Sequence, residues 1–480
     1  MNSNENNNKF LVILGPTGIG KTFISLNISK KFNGIIINSD AFSLYKEADV
    51  MTAKATEEEK KISPHKLIDV LDLTEVNFNQ NNYKNLFENE IKKDEYKNTL
   101  FVIVGGTNYY IERILFKGNE QEENNKKIGF EKENEILVDY KNNNKNVNYK
   151  EIFDFIIELK NKYKNYDEND ILYNNINSYL NNFCNKNNND DFLFKLLSII
   201  DVEYFNFLHK NDTRRIINVL SFYFTYNYKK SLNSNNLNKS LNFSDCKFIV
   251  LLPKNINELK TQIINRIKTM IDSNGINEIF YIFKKFQKNG IEIDFNKGVL
   301  QAIGYKEFYK LYVNFNNENA IEENFNNYNN GNKENNSQNI INIINSDDNL
   351  KKIFNECCDE LIKNTFNYAK YQIKFIKNRI IPFIKQNKML IVNIEKYNKE
   401  YYKENIFNKI FEFIENKNSI DDENNHNIEY ANKIKNWKKY FCEKCNKEMN
   451  GEYEYNNHMK SNKHKKFRIK KNNINIIKNK

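Results

Sequence analysis

Phe10-Leu11-Val12-Ile13-Leu14 runs directly into Gly15-Pro16-Thr17-Gly18-Ile19-Gly20-Lys21-Thr22, and Phe23 to Phe32 follows with the spacing of a helix. A buried strand, a glycine-rich loop, Lys-Thr and a helix in that order form a P-loop. Gly15, Gly18 and Gly20 let backbone N–H groups turn inward around phosphate oxygens, with Thr17 between them, and the helix N-terminus adds its positive dipole end. Lys21 supplies a point charge, and the Thr22 hydroxyl suits Mg²⁺. The stretch predicts a site for a phosphate or diphosphate. It leaves the compound and the reaction open.

Two further loops follow the same plan. Gly34 to Asn38 reads as a short buried strand ending at Ser39-Asp40, and Leu100 to Val104 runs into Gly105-Gly106-Thr107. Apolar strands separated by helices predict an α/β fold, a parallel sheet covered by helices on both faces. In such sheets ligands bind at the carboxyl ends of the strands, so the three loops should meet in one cleft. Of 14 glycines in the chain, five sit in the first and third loops, where tight backbone geometry is needed. Asp40 would serve there as a general base or as an indirect partner of Mg²⁺, or else cap the segment beginning at Ala41. Thr107 would donate to a bridging oxygen or cap the next helix. Arginine is scarce, 6 against 67 lysines, yet Arg214 and Arg215 are adjacent. A planar fork suits a diphosphate where lysine would not substitute.

The remainder of the chain divides by composition. Residues 9–118 and 209–312 read as two parts of the core, with 119–208 an inserted helical domain. Residues 313–350 read as an Asn-rich surface insertion with little to bury, 351–400 as a C-terminal helix of the core, and 401–435 as a linker. Residues 436–471 carry Cys442-x2-Cys445-x12-His458-x5-His464, the ligand set of tetrahedral structural zinc, with a basic tail to 480. Only five histidines occur in the chain, and two of them stand at ligand spacing behind that Cys pair. Residues 431–480 hold 15 Lys or Arg against 4 Glu, a surplus equal to the +11 of the whole chain. Lys463, Lys465 and Lys466 surround the last ligand, so the module reads as nucleic-acid binding. The four other cysteines are scattered and no signal peptide or membrane-spanning run is seen. That predicts a reduced compartment, the cytoplasm, with nucleus and mitochondrion open.

These pieces together resemble the tRNA dimethylallyltransferase (tRNA isopentenyltransferase) family. Beyond the phosphate loop the resemblance runs through Ile37-Asn38-Ser39-Asp40 with Tyr45, Thr52-Ala53-Lys54, Pro64 to Asp69, Val104 to Tyr110 and Asn211 to Arg215. It continues through Arg266 with Met270, Gln301 to Phe308, and Tyr368-Ala369-Lys370 with Gln372. The zinc module is similar to the C-terminal extension of eukaryotic members. The resemblance implies transfer of a dimethylallyl group from dimethylallyl diphosphate to the exocyclic amine of the adenosine adjacent to the anticodon. It implies that Asp40 takes the proton, that Thr107 and Arg215 steady the diphosphate, and that Ser39 and Tyr45 touch the tRNA. The inserted domain would clasp the anticodon stem-loop, and the protein would act as a monomer with Mg²⁺ and structural Zn²⁺. Departures fall at Ala41, Ser43, Lys66, Asn218, Ser221 and Tyr371. A P-loop small-molecule or nucleotide kinase is the main alternative, although Gly-Gly-Thr after the 100–104 strand lacks the acidic Mg²⁺ ligand such an enzyme needs. A non-catalytic tRNA-binding relative is the other.

Overall fold

The structure is a computed structural model that describes residues 8–116, 150–163, 169–187, 190–226, 229, 241–243, 245–330, 337–416, 439–445, 447–450, 452–461 and 464. The chain divides into two compact units: Met1–Lys117 with Ser240–Asn427, and Gly118–Lys239 with Ile428–Lys480.

In the first unit β1 (Lys9–Leu14) lies inside a six-stranded sheet with β2 (Ile35–Asn38), β3 (His65–Lys66), β4 (Leu100–Val104), β5 (Cys246–Pro253) and β6 (Met389–Ile394). The order is β3-β2-β4-β1-β5-β6, and every pairing is parallel. Successive side chains of β1 leave opposite faces of the sheet. Leu11 and Ile13 join the core on one face, while Phe10, Val12 and Leu14 join the core on the other. Burial on both faces explains why β1 reads as an unbroken apolar run without alternation. The expected α/β architecture is present.

Several stretches differ from the reading of composition. Residues 313–350 hold helices Glu318–Asn329 and Ser337–Ser346, which bury Ala320, Ile321, Tyr328, Ile340 and Ile344 in the main core. Spacings of four and eight keep these residues on one helix face, so a narrow apolar stripe is enough despite the many asparagines. The 351–400 stretch is more than a helix: Asp348–Phe375 is followed by β6, which pairs with β5 from Phe248 to Pro253. The start of the supposed linker packs on the core through Tyr402, Ile406, Phe407, Ile410 and Phe413.

The second unit contains helices Lys150–Tyr163, Asn169–Asn187, Asp190–Ile200, Val202–Phe207 and Thr213–Tyr226 around a core of its own. Residues 209–226 therefore group with the inserted helices rather than with the sheet, because Ile216, Ile217, Val219 and Leu220 fill that core. The same unit includes a small ββα module, β7 (Lys439–Cys442) paired antiparallel with β8 (Lys447–Asn450) and followed by helix Glu452–Lys460.

Candidate active site

Strands β2, β4 and β1 are neighbours, so the loops after Asn38, Val104 and Leu14 stand side by side at their carboxyl ends. The approach is close enough to exclude side chains: a Cβ on Gly105 would lie 2.0 Å from the Ser39 carbonyl carbon. Gly20 has φ +88°, and a Cβ there would meet the Tyr402 hydroxyl at 2.6 Å. That hydroxyl donates to the Ile19 carbonyl at 2.8 Å, tying the phosphate loop to the 399–416 region. The helix Lys21–Phe32 has no side chain capping its N-terminus and no acidic residue in its first turn. Its positive end is thus left for an anion.

The loops border a cleft of about 900 Å³ lined by Thr17, Gly18, Gly20, Lys21 and Thr22, by Asp40, and by Gly105 and Gly106. Asp40 is held from two sides. Its Oδ1 accepts the Phe42 N–H at 3.1 Å and its Oδ2 accepts the Gly106 N–H at 3.2 Å. The carboxylate thus does steady the turn Phe42–Leu44, yet each oxygen keeps a lone pair for a proton. Thr107 does not cap the helix that follows it. Its Oγ1 instead accepts the Ala41 N–H at 2.9 Å, which leaves its own proton to donate.

Two cleft residues come from the far end of the unit. Gln372 is buried, its Oε1 accepting the Thr17 N–H at 2.8 Å and its Nε2 donating to the Gly106 carbonyl at 2.8 Å. One amide thereby fastens the phosphate loop to the Gly-Gly-Thr loop. The Tyr368 hydroxyl donates to the same carbonyl at 3.0 Å. Arg266, from the helix Ile256–Met270, also lines the cleft. The scarcity of arginine points to the adjacent pair Arg214 and Arg215; Arg266 stands alone in the sequence and enters only through the family resemblance.

Charge is concentrated at this point. Lys21 donates from Nζ to the Gly15 and Pro16 carbonyls, both at 2.9 Å. Although water reaches part of its side chain, enclosure of the ammonium lowers its pKa to about 7, with Arg266 adding repulsion and Asp40 opposing the shift. Burial also lowers the pKa of Arg266 from its ordinary value, with Asp40 acting the other way. The site is thus an electropositive pocket with Asp40 beside the phosphate loop and Glu59 further along its lining, a form suited to a diphosphate.

Other expected residues sit differently. Ser39, expected at the tRNA, is fully buried and Tyr45 nearly so. Burial raises the Tyr45 pKa to about 12. The Tyr45 carbonyl instead receives the ammonium of buried Lys54, which also pairs with Asp49 and Asp69 at 2.6 Å each. Arg215 belongs to the second unit, where it is half exposed and lies 3.4 Å from Asp212. Lys463, Lys465 and Lys466 lie outside the described residues.

In the ββα module the ligand atoms of Cys442, Cys445, His458 and His464 all fall within 4.8 Å of one another. His464 Nδ1 is 3.6 Å from Cys442 Sγ, 3.2 Å from Cys445 Sγ and 3.1 Å from His458 Nε2. Bonds of about 2.0–2.3 Å to a tetrahedral zinc give ligand–ligand edges of roughly 3.3–3.8 Å, near the three His464 separations, so the donor set is compatible with that ion.

A model of the IPP transferase family matches residues 43–169 and 155–379. The chain belongs to the IPP transferase family. The phosphate loop and the zinc-ligand module lie outside the matched residues. The chain is similar to the tRNA dimethylallyltransferase of Halothermothrix orenii, 27% identical over 307 residues, 63% of this chain and 75% of that protein. It is also similar to the tRNA dimethylallyltransferase of Saccharomyces cerevisiae, 24% identical over 382 residues, 78% of this chain and 69% of that one. A solved eukaryotic dimethylallyltransferase acting on tRNA shares the fold with a TM-score of 0.66 at 21% identity, over 98% of this chain and 99% of that one. No helix among the described residues of this IPP transferase is long and apolar enough to cross a membrane.

Proposed function

We propose that this chain is a tRNA dimethylallyltransferase, moving a dimethylallyl group from its diphosphate to the exocyclic amine of the adenosine adjacent to the anticodon. The observation that carries the reading is the cleft itself. Phosphate loop, Lys21 and Arg266 surround one carboxylate at the end of β2, while β4 ends in Gly105-Gly106-Thr107. Asp40 and Glu59 are the carboxylates among the described lining residues, and no acidic residue stands at the end of β4 to hold Mg²⁺ as a kinase would need. Family membership supports the same choice.

On this reading the amine nitrogen attacks C1 of the dimethylallyl group, forming the N–C bond as the C–O bond to the diphosphate breaks. The departing diphosphate takes the electron pair, and Asp40 takes the proton of the amine. Lys21, Arg266 and the phosphate-loop N–H groups meet the charge developing on the leaving group, and the Thr107 hydroxyl donates to its bridging oxygen. Arg215 is assigned to the same anion. Thr22, exposed in the cleft, is the hydroxyl that would hold a Mg²⁺, which would neutralise part of the diphosphate charge. The base must leave the anticodon stack to enter such a cleft. We assign the helices of the second unit to gripping the anticodon stem and the zinc module to added tRNA affinity.

The test is incubation of the purified protein with total tRNA and labelled dimethylallyl diphosphate, beside a parallel reaction with labelled ATP and small-molecule acceptors. Label in RNA at an adenosine is the expected result. Phosphoryl transfer from ATP with no label in RNA would replace this reading with the kinase.

A further inference from the structure

Three aromatic side chains among the described residues are exposed, Tyr109, Tyr371 and Phe441, and the first two touch. Tyr109 is 39% exposed and Tyr371 is 44% exposed, with their hydroxyls 2.5 Å apart. Both lean on Phe375, at ring distances of 4.7 and 6.1 Å. The Arg379 guanidinium lies over the same group, 5.6 Å from the Tyr109 ring and 4.9 Å from the Phe375 ring, and pairs with Glu112 at 2.9 Å. The charge of Arg379 is thus balanced while its flat face remains part of the patch. Lys370, Lys374 and Lys377 are exposed on the same helical segment as Tyr371, and the Lys370 ammonium lies 4.1 Å from the Phe366 ring.

The patch joins the cleft directly. Tyr371 stacks on Tyr368 at 6.4 Å with 21° between ring planes, and Tyr368 both lines the cleft and holds the Gly106 carbonyl. Tyr109 lies two residues after Thr107. We propose that Tyr109 and Tyr371 form a stacking platform for an unpaired nucleobase flanking the target adenosine, with the lysines facing the adjoining phosphates. The proposal rests on the tRNA reading above and names a subsite for it.

The composition argues for RNA over a protein partner. Flat aromatic faces beside a guanidinium, on a helix that also carries exposed lysines, suit a base and its backbone, and unstacked bases are recognised by such stacking. A base leaving the anticodon stack takes stacking away from its neighbours. A platform one ring removed from Tyr368 returns that stacking to one of them and fixes the loop with its target over the cleft.

The experiment uses the full-length protein, dimethylallyl diphosphate and a synthetic anticodon stem-loop. Tyr371→Ala should raise the KM for the stem-loop by about 5- to 150-fold, with little change in single-turnover rate at saturating RNA. Tyr371→Phe, which keeps the ring and loses the hydroxyl contact, should behave as wild type. The Tyr371→Ala loss should hold at low and high salt, whereas the loss from Lys374→Ala should shrink as salt rises, since only the lysine releases counterions. Removing one flanking base in turn, as an abasic nucleotide, should abolish the Tyr371→Ala effect at one neighbour and not at the other. A wild-type enzyme that prenylates the stem-loop while Tyr371→Ala retains its KM would overturn the platform and leave the tRNA reading standing. An equal Tyr371→Ala penalty whichever base is removed would also overturn it. Failure of the wild type to prenylate the stem-loop would remove both.

Discussion

The cleft beside the phosphate loop and the ββα module are both polar sites, yet they are held in opposite ways. In the cleft, every loop is anchored to a sheet whose two faces are packed, and cross-links such as Gln372 to Thr17 and Gly106 set the spacing. The module has two short strands and one nine-residue helix, with Cys442, Met449 and His464 its buried residues among those described. A core that small needs a staple, and the four converging ligand atoms are the place for one. The cleft is held by packing, whereas the module is expected to depend on an ion for its fold.

The sharpest way to break that contrast is to remove the metal. Apparent binding energies for structural zinc of about 10–16 kcal/mol exceed anything the module's apolar contacts supply, so chelation should unfold it. Amide hydrogen exchange should show loss of protection across 439–464 with 9–116 unchanged, and inorganic pyrophosphate should bind as before. Protection surviving chelation in 439–464 would mean that the module folds by packing alone.

A smaller effect, confined to the cleft, is expected from Asp40→Asn. Asp40 serves two backbone donors with its two oxygens, and asparagine has one oxygen to offer. Its NH₂ group would face the Phe42 or the Gly106 N–H, at a cost of about 1 kcal/mol in stability. Loss of the proton acceptor should lower kcat by roughly 10²–10⁴-fold, with donor affinity changed only a few-fold. Single-turnover rates beside melting temperatures separate the two roles. A lower melting temperature with a near-normal rate would leave Asp40 as a structural brace only.

What could be read in advance follows the same division. β1 and its loop were legible because five consecutive apolar residues followed by three glycines and Lys-Thr admit few other structures. The Cys/His cluster was legible because its spacing is local. Gln372 and Tyr368 entered only through the family resemblance: Gln372 reaches Thr17 across 355 residues, and no local pattern joins them. β6 is a six-residue strand at the sheet edge, too short to stand out after a helix of 28 residues. The helices at 318–346 were hidden by asparagine, which dilutes an apolar stripe without interrupting its period.

The finest comparison lies within the cleft, between Lys21 and a lysine in water. Burial first, and Arg266 second, lower the Lys21 pKa from 10.5 to about 7. Between those two values the unfolded chain binds the extra proton and the folded chain does not, so stability rises with pH across that window. The cost of Lys21 is present in full below about pH 7 and is relieved as pH climbs toward 10.5. Lys21→Met should therefore raise the melting temperature at neutral pH and remove this part of its pH dependence, while abolishing pyrophosphate binding. A diphosphate favours the charged amine, so above about pH 7 binding must take up a proton, and affinity should fall by up to about tenfold per pH unit. Calorimetry with inorganic pyrophosphate at about pH 8, in buffers of differing ionisation enthalpy, counts that proton directly. Lys21→Arg, charged throughout, supplies the ligand's own proton change for subtraction. Equal uptake by the wild type and the arginine variant would mean that Lys21 is already charged in the free protein, and that the cleft is less dry than its packing implies.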